Sequence, residues 1–209
     1  MRWYADPEAK GCGALPAMRT IMGLLTLSIT ASGAGYQRNL MDLIIVRHAI
    51  ACTRDPQRWP DDRERPLSPA GVSRARRAAR GLGHLIDPPS RVLASPLTRA
   101  LDTAAILSAD AGWPCARVCM QLSPEVSPEA LFAVLCAERS RRIAVVGHQP
   151  QLGGLLAYCL PGAAQPTAFQ LKKSGVALLV FDGVARAGGA TLRALLPAVV
   201  LRAVRCSRG

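Results

Sequence analysis

The sequence predicts an α/β protein, a three-layer α/β/α sandwich built around a mostly parallel central sheet. Two short apolar runs, 43–46 and 143–147, have the composition of strands that are buried on both faces. Segments with helical spacing of their apolar residues follow the predicted strands, and this alternation is typical of right-handed βαβ units. The chain has 209 residues, 50% of them hydrophobic, which is enough for one domain with a sizeable core.

The chain is strongly basic, because 26 lysines and arginines exceed 14 aspartates and glutamates. Such an excess can indicate a nucleic-acid partner. The positive charge is nearly all arginine, however, and aromatic residues make up only 4% of the chain, so few side chains could stack on bases. We interpret the charge as a compositional bias toward arginine, with attraction of an acidic or phosphorylated partner as the alternative, and expect no nucleic-acid binding.

Residues 1–40 do not share the pattern of the rest. An apolar stretch at 21–29 followed by small residues at 31–35 resembles a secretory signal, although it is too short to span a bilayer. The alternative, which we favour, is that these residues lie upstream of a natural start at Met41, directly before the first predicted strand. We therefore expect an N-terminal extension at 1–40, one domain at 41–209 and no membrane association.

The seven cysteines are odd in number and show no CxxC spacing, which is typical of reduced intracellular thiols. Cys115 and Cys119 lie close together but lack a second pair, so they are weak evidence for zinc. We expect a cytoplasmic protein that needs no metal and no cofactor.

The first predicted strand, 43–46, is followed directly by Arg47 and His48. Neighbouring side chains on a strand point to opposite faces, so these two can reach one ligand only where the strand ends. Open α/β sheets bind ligands outside the carboxyl ends of their strands. A guanidinium beside an imidazole at this edge indicates an anion site with a nucleophile, and two solvated residues that end a strand are the simpler alternative.

The next segment is a polar loop at 53–67 whose mixed charges suggest an exposed rim. Ser68 before Pro69 then predicts the start of a helix, since serine is a favoured N-cap and proline a favoured first helical residue.

A second strand is predicted at 91–95, with Ser95 as the N-cap of the helix that follows. Arg99 lies in the first turn of this helix, again just beyond the carboxyl end of a strand. It could pair with Asp102, or it could supply a second cation to the same crevice.

A third strand, 143–147, is followed at once by His148. Before it, Glu125 lies between two prolines in a loop that precedes another helix. Further strands are predicted at 176–182 and within 192–201.

The carboxyl ends of three predicted strands are therefore followed by basic side chains. These are Arg47 and His48 at the first strand, Arg99 at the second and His148 at the third. Each residue alone has a structural explanation. Because the carboxyl ends of parallel strands meet at one edge, however, these side chains should converge, and two guanidinium groups suit the oxygens of a phosphate.

Four segments in this order and spacing resemble the histidine phosphatase superfamily, the RHG-motif enzymes related to phosphoglycerate mutase, and more narrowly its SixA-type phosphohistidine phosphatases. The resemblance covers roughly 41–201. It is carried by LIIVRHA at 43–49, RPLSPAG at 65–71, VLASPLTRALDTA at 92–104 and VVGHQPQL at 145–152.

The resemblance implies a phosphoglycerate mutase-like fold and a catalytic His48 that accepts the phosphoryl group before it passes to water. It implies a phosphate-binding pocket of Arg47, Arg99 and His148, with His148 also catalytic, a proton donor at Glu125, and no metal.

Two positions qualify the resemblance. Arg65 is a candidate for the pocket rim, although pairing with a neighbouring acid is the role we favour. Ala49 stands where most of the superfamily has glycine, a departure that the SixA-like branch tolerates.

The favoured function is hydrolysis of phosphohistidine in a protein, because no large insertion is available to close the crevice. One alternative is a small-molecule phosphomonoesterase, which would depend on Glu125. The other is a non-catalytic module that binds phosphorylated proteins.

Overall fold

The computed structural model describes residues 40–162 and 169–204, so the predicted N-terminal extension lies outside the described residues except for Leu40. The strands in this part of the chain are β1 (Leu40–Arg47), β2 (Arg91–Ala94), β3 (Arg117–Val118), β4 (Arg142–Gly147), β5 (Val176–Asp182) and β6 (Ala190–Leu196). The α-helices are α1 (Pro69–Leu85), α2 (Thr98–Ala111), α3 (Pro128–Ala137), α4 (Gln151–Cys159) and α5 (Ala198–Ala203).

The six strands form one sheet in the order β3-β2-β4-β1-β5-β6. β1, β2, β3 and β4 are mutually parallel, whereas β5 runs antiparallel to both β1 and β6. Five of the six strands therefore share one direction, which confirms the mostly parallel sheet. The reversal of β5 means that its amino end, rather than its carboxyl end, lies at the edge where β1, β2 and β4 end.

The two faces of the sheet are covered by different helices, because side chains alternate along each strand. Leu43 and Ile45 of β1 pack in a core with α3 and α4, while Ile44 and Val46 pack on the other face with α1, α2 and α5. All four side chains are buried. The three-layer α/β/α arrangement predicted from the sequence is thus confirmed, and β1 lies in the interior of the sheet with both of its faces covered.

The helix start predicted at Ser68 is confirmed by its cap, and α3 begins with a cap of the same kind. Ser68 Oγ accepts a hydrogen bond from the Gly71 amide at the start of α1, and Ser127 Oγ accepts one from the Ala130 amide at the start of α3. Each serine satisfies a backbone donor that the helix itself leaves unpaired.

The predicted N-cap at Ser95 is wrong. α2 begins at Thr98, and its N-cap, Leu97, supplies no side-chain hydrogen bond. The Ser95 hydroxyl lies 2.8 Å from His148 Nε2 and accepts from the Leu97 amide at 3.4 Å, so it meets the chain before α2 rather than an amide of the helix itself.

The last predicted strand, within 192–201, is only partly correct. β6 ends at Leu196, and residues 198–203 form α5. Pro197 separates the two elements, since proline has no amide hydrogen to continue a strand ladder.

None of the helices described has the length and apolar character that crossing a membrane requires.

Candidate active site

The carboxyl ends of β1, β2 and β4 meet at one edge of the sheet. The His48 amide donates to the Gly147 carbonyl at 3.0 Å, and the Ser95 amide donates to the Val146 carbonyl at 3.0 Å. The rings of His48 and His148 consequently lie with their centroids 4.8 Å apart. The convergence of strand ends predicted from the sequence is therefore present.

His48 is buried, with 4% of its surface exposed. Its Nδ1 lies 2.7 Å from the Ala49 carbonyl oxygen, which can only accept, so Nδ1 carries the hydrogen and Nε2 carries the lone pair. Burial, followed by the charges of Lys173, His148 and Arg99, lowers the pKa of His48 to about 2. The imidazole is therefore neutral at physiological pH, with its lone pair on Nε2.

Lys173 lies against this nitrogen, with Nζ 3.1 Å from His48 Nε2. An ammonium group can only donate, so it donates to the lone pair of Nε2. Burial first, then the charges of Arg47, Arg99 and Arg65, lower the pKa of Lys173 to about 8. Lys173 was not predicted from the sequence, although it stands next to the only other lysine of the C-terminal half in a chain whose cations are nearly all arginine.

Arg47 ends β1 and is partly buried. Its Nη1 donates to the Leu171 carbonyl at 2.7 Å, while its Nε is buried without a hydrogen-bond partner. An unpaired buried donor at a sheet edge is suited to an anionic ligand, because leaving it unpaired is costly.

Arg99 is buried in the first turn of α2, with 6% of its surface exposed. Its Nη1 donates to the Asp62 carbonyl at 2.8 Å and its Nη2 lies 3.2 Å from the Asp62 carboxylate. The pairing with Asp102 considered above is wrong, because the Asp102 carboxylate accepts from the Leu67 amide instead. The Nε of Arg99 is a second buried donor without a partner.

Asp62 pairs with three arginines and was not predicted from the sequence as a site residue. One of them is the exposed Arg54, whose Nε lies 3.5 Å from the Asp62 carboxylate. Besides Arg99, Asp62 binds Arg65, whose Nε lies 2.8 Å from its carboxylate. This contact confirms the favoured pairing of Arg65 with a neighbouring acid. Arg65 also donates to the Cys52 carbonyl at 2.8 Å. The hydrogen bond from Arg65, followed by the charges of nearby arginines, lowers the pKa of Asp62, which is therefore ionised.

His148 faces His48 from the end of β4 and is also buried. Its Nε2 lies 2.8 Å from Ser95 Oγ, and its Nδ1 is buried without a partner. Burial, then the charges of Arg99, Lys173 and Arg47, lower the pKa of His148 to about 3, so this ring is neutral too. Ser95, which orients it, is a further residue that the sequence analysis assigned to another role.

Glu125 lies at the rim. Its exposed carboxylate pairs with the exposed Arg63 of the 53–67 loop at 3.1 Å. Arg63 neighbours Asp62, which contacts Arg99, so the loop links this rim to the pocket.

The groups gathered around His48 Nε2 are cations and neutral imidazoles. Arg47, Arg99 and Lys173 supply the positive charge, and each of these three charges lowers the pKa of His148. Such a site suits an anion with several oxygens. No group of three or more histidines, cysteines, aspartates or glutamates among the described residues is arranged to hold a metal ion.

Comparison with known proteins identifies the family. The model of the histidine phosphatase superfamily (branch 1) matches residues 43–120. An uncharacterized protein of Picosynechococcus sp. is 37% identical over 116 residues, which are 54% of this chain and 69% of that protein.

Solved structures agree with this match. The protein histidine phosphatase SixA complexed with tungstate is 28% identical with a TM-score of 0.67, over 77% of this chain and 99% of that chain. A phosphoserine phosphatase from Entamoeba histolytica in complex with phosphoserine shares the fold at 18% identity and a TM-score of 0.55, over 76% of this chain and 98% of that one. With its strand-end histidines and arginines, the chain therefore belongs to the histidine phosphatase superfamily, in its SixA-type branch, and is a phosphatase.

Proposed function

We propose that the protein hydrolyses phosphohistidine in a protein substrate, with His48 as the nucleophile. The observation that carries the proposal is the state of His48: a neutral imidazole whose Nδ1 hydrogen is held by Ala49, with its Nε2 lone pair directed into a group of cations. The metal-independent chemistry that follows needs no group beyond these side chains and water.

The reaction has two steps. In the first, the Nε2 lone pair attacks phosphorus, the bond between phosphorus and the substrate nitrogen breaks, and the substrate ring, which carries a proton on its other nitrogen, leaves with the electron pair as a neutral imidazole. In the second, water attacks phosphorus, the bond to His48 breaks, and the water's extra proton passes to solvent as phosphate leaves. The site requires no general base for the first step, since Nε2 already carries a lone pair.

The arginines act on the transferring group. Charge in the transition state spreads over three phosphoryl oxygens, so fixed donors aimed at them lower the barrier. Arg47 and Arg99 each hold a buried Nε without a partner, and His148 holds a buried Nδ1 without one. We assign these three atoms to the phosphoryl oxygens, because a bound phosphate would satisfy donors that are otherwise unpaired.

Phosphohistidine is the favoured substrate because acids are scarce at the site. The carboxylate that contacts the pocket arginines is Asp62, and its lowered pKa keeps it ionised and unable to donate a proton. An alkyl ester needs a proton on its leaving oxygen, whereas the histidine ring, with an ordinary pKa of ~6.5, can already carry a proton on its other nitrogen and leave as a neutral imidazole. The SixA relative, whose structure is described as that of a protein histidine phosphatase, is consistent with this choice.

A small phosphate ester is the second candidate. Glu125 favours it, because its exposed carboxylate is joined through Arg63 to the loop that holds Arg99 and could reach the leaving group as a proton donor. The fold shared with the phosphoserine phosphatase is compatible with this alternative.

The first prediction tests the nucleophile. The wild-type protein, mixed with a protein carrying labelled phosphohistidine and quenched rapidly, should yield a labelled phosphoenzyme. His48→Ala should yield none, since the attacking nitrogen is absent. His84→Ala is the matched control, because His84 is an exposed histidine of α1 and should leave labelling unchanged.

Two outcomes would count against the proposal. Labelling that survives in His48→Ala would place the nucleophile elsewhere. Tight binding of the phosphorylated protein without turnover would indicate the non-catalytic module considered above. Comparison of kcat/KM for the phosphohistidine protein with a panel of phosphate esters decides between the two substrate classes, and a chelator should leave turnover unchanged.

A further inference from the structure

The position of Lys173 is not explained by the phosphoryl-transfer roles assigned to His48, Arg47, Arg99 and His148. Its Nζ is 3.1 Å from the nitrogen that must attack phosphorus. A donor bonded to Nε2 lies near the direction of its lone pair, and phosphorus must approach from the same direction. The ammonium group and a transferring phosphoryl group therefore cannot occupy their places at the same time.

The backbone around Lys173 is fixed to the end of β1. The Ser174 amide donates to the Arg47 carbonyl at 3.1 Å, and the Arg47 amide donates to the Gly175 carbonyl at 3.1 Å. The Gly175 amide closes a turn onto the Lys172 carbonyl at 2.8 Å. The lysine is thus presented to His48 by a turn that is hydrogen-bonded to the nucleophile's own strand.

Strain in this turn points to a function. Ser174 has a φ of 56°, in the left-handed region that a residue other than glycine adopts at a cost. Such backbone persists where surrounding contacts impose it, and it is concentrated at functional sites. Here the conformation follows directly after Lys173 and is held by the bond from Ser174 to β1.

We propose that Lys173 binds the transferring phosphoryl group and, before substrate arrives, blocks the nucleophile by donating to His48 Nε2. The incoming phosphoryl group displaces the ammonium from Nε2, and the ammonium then donates to a phosphoryl oxygen. This inference rests on the phosphoryl transfer proposed for His48. A lysine suits the task, because its charge is compact and its four-carbon stem allows the short movement from nitrogen to oxygen.

Two opposing effects set the expected size of a substitution. Loss of a charge donor aimed at the transition state commonly lowers the rate by ~10²-fold to 10³-fold. Release of Nε2 from its hydrogen bond to the charged Lys173 should raise the rate roughly tenfold. The loss is the larger effect, so Lys173→Met should lower kcat/KM by about tenfold to 100-fold.

The two effects can be measured separately. Diethylpyrocarbonate acylates neutral histidine nitrogens, and at pH 6.5 the ammonium of Lys173 covers Nε2 in the wild-type protein. We expect acylation of His48, mapped by mass spectrometry, to be roughly tenfold faster in Lys173→Met. Turnover should fall while acylation rises, and a variant that has only lost structure would not show faster acylation at His48 alone. Lys172→Met is the matched control, since Lys172 is exposed and adjacent, and it should change neither rate.

The pH profile gives a third measurement. The charged and titratable groups that face Lys173 are Arg47 at the end of β1, His48 directly after it, Arg99 on α2, Arg65 on the 53–67 loop, and His148 after β4. The arginines and burial lower its pKa to about 8, so the wild-type kcat/KM should fall as pH rises past that value and the ammonium loses its proton. Lys173→Arg should keep much of the activity and move this decline to higher pH, because a guanidinium does not deprotonate in this range. Lys173→Met should lack the decline.

The outcomes separate this inference from the function on which it rests. A wild-type protein that neither turns over phosphohistidine or phosphate esters nor forms a phosphoenzyme would overturn the proposed function. A wild-type protein that does so, with Lys173→Met equal to it in turnover or in His48 acylation, would overturn the role of Lys173 alone. If Lys173→Met does not fold, an unchanged pH profile in Lys173→Arg would overturn it equally.

Discussion

A single backbone carbonyl decides which nitrogen of His48 can react. Because the Ala49 oxygen can only accept, it holds the hydrogen on Nδ1 and leaves Nε2 for the substrate. Ala49 is itself fixed, since its amide donates to Thr103 Oγ1 on α2 at 3.0 Å. The tautomer of the nucleophile therefore depends on the contact between the end of β1 and the helix that carries Arg99.

The prediction at the scale of one residue concerns Glu125. A positioned acid typically contributes ~10² to 10⁴-fold to a reaction that needs a proton on the leaving group. Glu125→Gln should therefore slow hydrolysis of alkyl phosphates far more than that of a phosphohistidine protein, if the phosphohistidine proposal is right. The measurement is kcat/KM of the wild-type protein and of Glu125→Gln, each on an alkyl phosphate and on a phosphohistidine protein.

Two results would change that interpretation. Equal large losses on both substrates would make Glu125 a general acid for every reaction and weaken the case for phosphohistidine. Equal small losses would leave it as an exposed partner of Arg63. Glu129→Gln, in the first turn of α3, controls for a change of charge nearby.

The residues that the sequence analysis brought to the site share one property. Arg47, His48, Arg99 and His148 all follow strands that run in the same direction, so a rule about carboxyl ends places them together. Asp62 is different, because it lies in a loop whose path over Arg99 depends on tertiary contacts rather than on any local pattern.

At the scale of elements, the direction of β5 explains why Lys173 was not selected. A strand that runs antiparallel to β1 brings its amino end to the catalytic edge, so the residues before it, rather than after it, face the site. The sequence predicted this strand with its correct bounds, 176–182, but the apolar pattern of a strand does not encode its direction. Ser95 was misassigned because a serine before a proline resembles a helix cap in sequence. The contact of its hydroxyl with His148, from another strand, is not visible in that local pattern.

The prediction at this scale concerns the contact of α1 with the segment after His48. The Ile50 carbonyl accepts from the Ser68 amide at 3.0 Å, and a Cβ added to Gly71 would lie 1.9 Å from the Ile50 oxygen. Gly71→Ala must therefore push the helix away from the backbone two residues beyond the nucleophile. We expect a loss of about 1 to 3 kcal/mol in the free energy of unfolding, together with reduced kcat.

Urea unfolding and steady-state kinetics measure the two effects. Ala70→Ser, an exposed neighbour in the same turn of the helix, should alter neither. Unchanged stability in Gly71→Ala would mean that α1 can shift freely over the Ile50 carbonyl.

At the scale of the whole molecule, two buried neutral histidines make stability depend on pH. The folded-state pKa values of His48 and His148, about 2 and about 3, lie below the ordinary 6.5. Between about pH 3 and pH 6.5, both histidines are protonated in the unfolded chain and neutral in the folded protein. Stability from this source is therefore present above pH 6.5 and is lost as pH falls toward 3.

The expected slope is about 1.4 kcal/mol per pH unit for each histidine. Urea unfolding at intervals from pH 6.5 to 4.5, in buffer without phosphate, should show it, and His148→Asn should roughly halve it. His84→Asn, at an exposed site, should leave this slope unchanged. A free energy of unfolding that is constant over this range would contradict the burial of both rings in the neutral state.

The central position of β1 has a consequence for the order in which the protein becomes active. Ile45 pairs with Val145 on one side and with Ala177 on the other, so both neighbours of this strand are synthesised long after it. A chain emerging from the ribosome carries His48 early, but two groups that face it, His148 and Lys173, arrive only after β4 and with the turn before β5. Pairings this distant in sequence also form slowly. A partly synthesised chain therefore holds His48 without His148 and Lys173, and the appearance of catalysis during synthesis would report that the sheet has closed around β1.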